Sequence, residues 1–183
     1  MQLGLSLDWY DSVFEVIDLR SFSNLWYWIG LAVFWSSVSH WILGVPYDSI
    51  MRAKRGKPDT AMADLHDHVR VNVNRILYIS EISGTWIALF GSAVMTVLVL
   101  MAFAYNIEFA QAVFLLLGPL AILSMMTVRT ARKIRSGELR DEALIKCLLR
   151  HRFITQGIGV IAIFITAMYG MWVNLYVGPF GGF

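Results

Sequence analysis

The run Asn24–Gly44, NLWYWIGLAVFWSSVSHWILG, constrains the fold more than any other stretch of the chain. It contains no Asp, Glu, Lys or Arg, and its length matches the ~20 residues a helix needs to cross a bilayer core. Trp26, Tyr27 and Trp28 stand near one end, Trp41 and Tyr47 near the other. As one helix, Trp26 to Tyr47 would extend roughly 31 Å, close to hydrocarbon thickness, and amphipathic rings favour the headgroup level on each side. The run therefore predicts a transmembrane helix, and later segments must fit the bilayer it defines. Only 15% of the residues are charged, against about 25% in soluble domains, so a membrane setting suits the whole chain.

Three further apolar runs answer to the same bilayer: 82–104, 109–128 and 153–177. Tyr105-Asn106-Ile107-Glu108 leaves room only for a tight hairpin between the second and third. Gly118-Pro119 lies in the middle of the third, where a proline removes a backbone hydrogen bond and kinks the helix. Ahead of the first crossing, residues 6–19 place Asp8, Asp11, Glu15 and Asp18 on one helix face, the pattern of an amphipathic helix lying at the interface. These first residues lack the basic segment of a signal peptide, so the mature chain is expected to keep them. The expected fold is an all-α four-helix membrane bundle with an N-terminal amphipathic helix over 1–23.

Two polar connections join the crossings, 45–81 and 129–152. In the first, Val45-Pro46 ends a helix and Gly56 to Pro58 marks a break. A new helix starts at Asp59 or Thr60. Leu65, Val69, Val73, Ile76, Leu77 and Ser80 follow a 3.6 period, so this helix runs on into the second crossing as a cytoplasmic extension. In the second, Ser136-Gly137 marks a turn, and Leu144, Cys147 and Leu148 line a short amphipathic helix. The two connections hold fourteen of the fifteen Lys and Arg residues, leaving Arg20 alone on the other side. Positive charge stays cytoplasmic. Both termini are thus expected in the periplasm and both connections in the cytoplasm of a bacterial inner membrane.

No HExxH, G-x-S-x-G or Walker loop appears, and the single cysteine, Cys147, excludes an internal disulfide or an all-cysteine metal site within one chain. No enzyme and no resident cofactor are expected. Ser36, His40, Glu81 and Gln156 form a candidate intramembrane polar cluster near the cytoplasmic end, where such groups pair across helices or line a site. His40 and His151 could in principle both ligate a haem, although His151, between Arg150 and Arg152, is expected to be solvated. Asp64, His66 and His68 have metal-ligand chemistry, but only Asp64 and His68 share a helix face. Stripes of small residues, Ala162, Thr166 and Gly170 with Ala32 and Ser36, suit close helix packing.

The basic connections point to the partners. Arg52, Lys54, Arg55 and Lys57, with Arg129, Arg132, Lys133 and Arg135, are candidates for docking a protein or anionic lipid. The lipid bilayer is one expected partner and a protein at the cytoplasmic face or within the membrane another; nucleic acid is not. The leading expectation is a non-enzymatic accessory or scaffold protein. The alternative is a small transporter or a haem- or cofactor-bearing protein using His40, Glu81 and Gln156.

The runs DLRSFSNLWYWIGLAVFWSSVSHWILGVPYD, DLHDHVRVNVNRILYISEISG, FAQAVFLLLGP and HRFITQGIG carry a likeness over most of the chain. It resembles a group of small alphaproteobacterial inner-membrane proteins assigned as a component of the Suf iron–sulfur-assembly complex. The resemblance implies a partner, the soluble Suf scaffold–ATPase assembly, and no residue roles. With one cysteine, the implied part is membrane tethering through the basic connections.

Overall fold

A computed structural model of the chain describes residues 21–56, 60–137, 139 and 141–176, with the side chains of 39–42 outside the description. The expected helix over 6–19, Lys57, and the tail from 177 lie outside the described residues. Five helices carry the fold: α1 Leu25–His40, α2 Tyr47–Arg55, α3 Ala61–Val99, α4 Glu108–Arg135 and α5 Asp141–Tyr176. A two-stranded ribbon, β1 Trp41–Ile42 and β2 Val45–Pro46, stands between α1 and α2. Three of the helices are long and apolar enough to cross a membrane: α3 with its continuation to Ala104, α4 and α5.

The run expected to form the first crossing differs from that expectation and is shorter than the three long apolar helices. Its helix starts where Asn24 Oδ1 accepts the Trp26 N–H at 3.0 Å, a side-chain cap. It ends at His40, not at Gly44, and its sixteen residues span roughly 24 Å. The chain then reverses through Leu43 (φ 51) and Gly44 (φ 76), the two left-handed central positions of a tight hairpin turn. A Cβ on Gly44 would also lie 2.7 Å from Asn72 Oδ1. Glycine is therefore demanded twice at this point, by backbone geometry and by space.

Residues 61 to 104 form one 44-residue helical rod, roughly 66 Å long. Thr60 precedes it without a side-chain cap bond, its hydroxyl facing Asp64 instead. The last turn, Leu100–Ala104, widens to π geometry. There the Ile107 N–H reaches Met101 O at 3.0 Å, and the Gln111 side-chain amide donates to Ala102 O at 2.9 Å. Asn106, at φ 53, turns the chain into α4, a conformation asparagine tolerates better than most residues. Pro119 sits inside α4 as expected.

Two kinds of packing divide the molecule. Within the apolar layer, α1 lies against α4 and α5: Leu31, Trp35, Leu123 and Ala162 are buried together. Nearer the start of α1, Phe22 meets Ala112 and Val173. The Phe22 N–H donates to Glu108 Oε1 at 2.7 Å, and the Trp28 indole donates to Phe22 O at 3.0 Å. Trp35 is 2% exposed, and its indole N–H has no acceptor among the described residues. The apolar half of α3 stands differently. Ile82, Trp86, Ile87, Phe90, Val94 and Val97 are all exposed, the surface expected where lipid replaces water.

Beyond the apolar layer, a second core unites the polar connections. Leu43, Val45, Ile50 and Ala53 pack with Leu65, Val69, Val73 and Leu77, and with Ala131, Leu144 and Leu148. The hairpin, α2, the first half of α3, the end of α4 and the start of α5 thus share one interior. This is a small folded head.

Candidate functional site

The head is studded with cations. Arg52, Lys54 and Arg55 occupy the last turn of α2, and Arg132, Lys133 and Arg135 that of α4, where basic groups complement the helix dipole. Arg129 is exposed one turn earlier. Lys57 lies outside the described residues.

Ion pairing removes some of these charges and not others. Arg52 pairs with Asp48 at 3.0 Å, Arg70 with Asp67 at 3.0 Å, and Lys146 with Glu142 at 3.2 Å. Arg135 pairs with Glu81, tying the end of α4 to α3. All these pairs are exposed, so each contributes about 0–1 kcal/mol. Among the described residues, Lys54, Arg55, Arg75, Arg129, Arg132, Lys133 and Arg150 make no salt bridge with a carboxylate. The pairing leaves a cationic surface with Arg129, Arg132 and Lys133 on consecutive turns of one helix.

Among the described residues of the candidate intramembrane polar cluster, no hydrogen bond joins Ser36, Glu81 and Gln156 to one another. Glu81 turns to Arg135. Ser36 is exposed on α1, and Gln156 is half-buried on α5. The side chain of His40 lies outside the described residues.

His151 departs from the sequence expectation of a solvated side chain. It is 6% exposed, because α5 turns it inward on the stripe of Leu144 and Leu148. The Thr130 hydroxyl donates to Met126 O at 2.9 Å, so its oxygen is left to accept from His151 Nδ1–H at 3.2 Å. His151 Nε2 then accepts from the Thr127 hydroxyl at 3.5 Å. Both ring nitrogens of a neutral imidazole are engaged, and burial pushes the histidine below its ordinary pKa. Its ring faces α4, not an open ligand position.

Asp64 and His68 share a cleft, and His66 faces elsewhere. His66 Nε2 faces Asp141 Oδ1 at 3.2 Å, and Asp64 meets Thr60. Among the described residues, no three His, Cys, Asp or Glu side chains come together as a metal site. Two clefts open on the head. One of about 190 Å³ lies between α2 and α3, lined by Ser49, Arg52, Asp64, Asp67 and His68. The other, of about 370 Å³, has an apolar floor of Val69, Val73, Ile134, Leu139 and Leu144 with His66, Arg70 and Arg135 at its rim.

Sequence reasoning passed over the buried Ser49 and Gln111, and it expected the buried His151 to be solvated. The periodicity carried a signal for His151, which continues the spacing of the buried Leu144 and Leu148. Gln111 sits between Ala110 and Ala112, also buried. No protein-family model, curated protein or solved structure matches the chain.

Proposed function

We propose that the chain is a non-enzymatic accessory protein of a bacterial inner membrane that holds a protein partner on its cytoplasmic head. The observation that carries this reading is the second core. A chain needed only to cross a bilayer has no use for a packed interior joining five of its segments outside the apolar layer. A rigid head with exposed cations is suited to presenting a surface to another macromolecule.

In this reading α1 is a fourth crossing. Its start lies beside Glu108 and Asn174, and the hairpin that follows it packs into the head with Val69 and Leu148. The chain therefore passes from one end of the apolar layer to the other, with sixteen helical residues and a ribbon sharing the distance. Four crossings would put both termini on one side, and the concentration of cations in the head supports the cytoplasm for the head and the periplasm for the termini. The resemblance to Suf-associated membrane proteins nominates the soluble Suf scaffold–ATPase assembly as the partner. The head would then serve as its tether, and no cluster would be held by this chain.

Affinity capture of the tagged protein from mild detergent tests the proposal. One stoichiometric partner should be recovered with the wild type and lost when Arg129, Arg132 and Lys133 are all changed to Gln. Repeated recovery of the chain alone would overturn it.

A further inference from the structure

Among the described cations of the head, Arg152 is set apart by an aromatic contact. Its guanidinium lies over the Tyr47 ring, 3.8 Å from the centroid, and it makes no salt bridge with a carboxylate of the described residues. The ring face attracts the cation, and the N–H donors of a guanidinium so placed can still be shared with an anion. Tyr47 is in turn the first residue of α2. That helix has no side-chain cap, so its first-turn N–H groups are not satisfied within the helix or by a cap. The acid nearby, Asp48, is occupied by Arg52 at 3.0 Å.

The location selects the ligand. Phe153, directly after Arg152, is exposed and opens the stretch to Tyr176, which contains no charged residue. A tyrosine and an arginine at that boundary sit at the level of lipid headgroups. An oriented guanidinium favours the planar two-point contact that phosphate oxygens offer.

We propose that Arg152, held over the Tyr47 ring, is the seat of one anionic phospholipid headgroup. Arg152 engages its phosphodiester, and the acyl chains follow the exposed side chains of α5 from Phe153 onward. The assignment rests on α5 entering the bilayer at this point, and it is independent of any protein partner.

The test equilibrates the full-length protein with mixed micelles of phosphatidylglycerol and phosphatidylcholine, then measures retained lipid by mass spectrometry after washing. The wild type should retain phosphatidylglycerol preferentially. Loss of one basic contact should reduce that preference about fivefold in Arg152→Gln, and Tyr47→Leu should reduce it in the same direction. Tyr47→Phe, which keeps the ring, and Lys146→Gln, which removes a distant charge, should retain it. The Tyr47 pair reads the site even if Arg152→Gln disturbs folding. Wild-type preference in Arg152→Gln that elutes as the folded protein, or an equal loss in Lys146→Gln, would overturn the proposal. Displacement of the lipid by millimolar inorganic phosphate would overturn the lipid assignment in favour of a free-phosphate site.

Discussion

Trp35 fills the space that a side chain at Gly159 would need: a Cβ built there lies 2.9 Å from the indole Cε3. The contact joins α1 to α5 inside the apolar layer, where close backbone approach does the work that hydrophobicity does in water. Gly159→Ala should therefore lower stability by about 1–3 kcal/mol, the cost of overpacking. Gly30→Ala on the open face of α1 meets nothing within 4 Å and should be neutral or slightly stabilising. Thermal unfolding in detergent, followed by tryptophan fluorescence, separates the two.

The hairpin turn offers a sharper dissection. Gly44→Ala should destabilise through both its positive φ and its clash with Asn72, together about 1–3 kcal/mol. Adding Asn72→Ala removes the clash and leaves the backbone strain. The double variant should recover part of the loss. Full recovery would mean that the turn tolerates a Cβ.

Gln111 supports the turn between α3 and α4 through its bond to Ala102 O. Gln111→Leu leaves that carbonyl without its side-chain donor and should cost about 1–3 kcal/mol. Hydrogen exchange should report the damage locally, with faster exchange of the Tyr105 and Ile107 amides, which close the π turn.

His151 should make the head acid-sensitive. Its folded-state pKa lies below the unfolded value because burial disfavours the imidazolium. Its contribution to stability is therefore complete above about pH 6.5 and is lost as the pH falls from there through the lowered folded-state value. His151→Gln keeps a polar side chain that does not titrate. The stability difference between wild type and variant should shift against the wild type on acidification below that pH, as read in unfolding curves at a series of pH values.

Orientation is testable by chemistry. In a Cys147→Ser background, single cysteines at Lys54 and Lys133 should resist a membrane-impermeant thiol reagent in intact cells and react after lysis. Labelling of either in intact cells would turn the head toward the wrong compartment.

Much of the architecture could be read from residue patterns because those patterns have one physical outcome. Leu65, Val69, Val73 and Leu77, predicted as one face, are all buried. Tyr105 to Ile107 forms the short turn, and Gly137, at φ 79, the second. The end of α1 was not legible. An apolar run such as WILGVP is equally hydropathic as helix or ribbon, and only the packing of Leu43 and Val45 onto α3 and α5 decides for the ribbon. The candidate site was half legible. Charge counting located the cations, but not which of them Asp48, Asp67, Glu81 and Glu142 would neutralise, since that depends on how neighbouring turns and helices meet. The burial of His151 was obscured by the arginines on either side, which point elsewhere on the helix.

The unbroken run from Ala61 to Ala104 also makes the molecule a lever. Its half from Ala61 to Glu81 is roughly 31 Å long, and the head is clamped to it through Leu65, Val69, Val73 and Leu77. Helices retilt when bilayer thickness changes, and a stiff arm of this length converts about 5° of tilt into about 3 Å of sideways sweep at its tip. In the proposed orientation, a partner carried on the head would be mechanically geared to the thickness of the lipid beneath it.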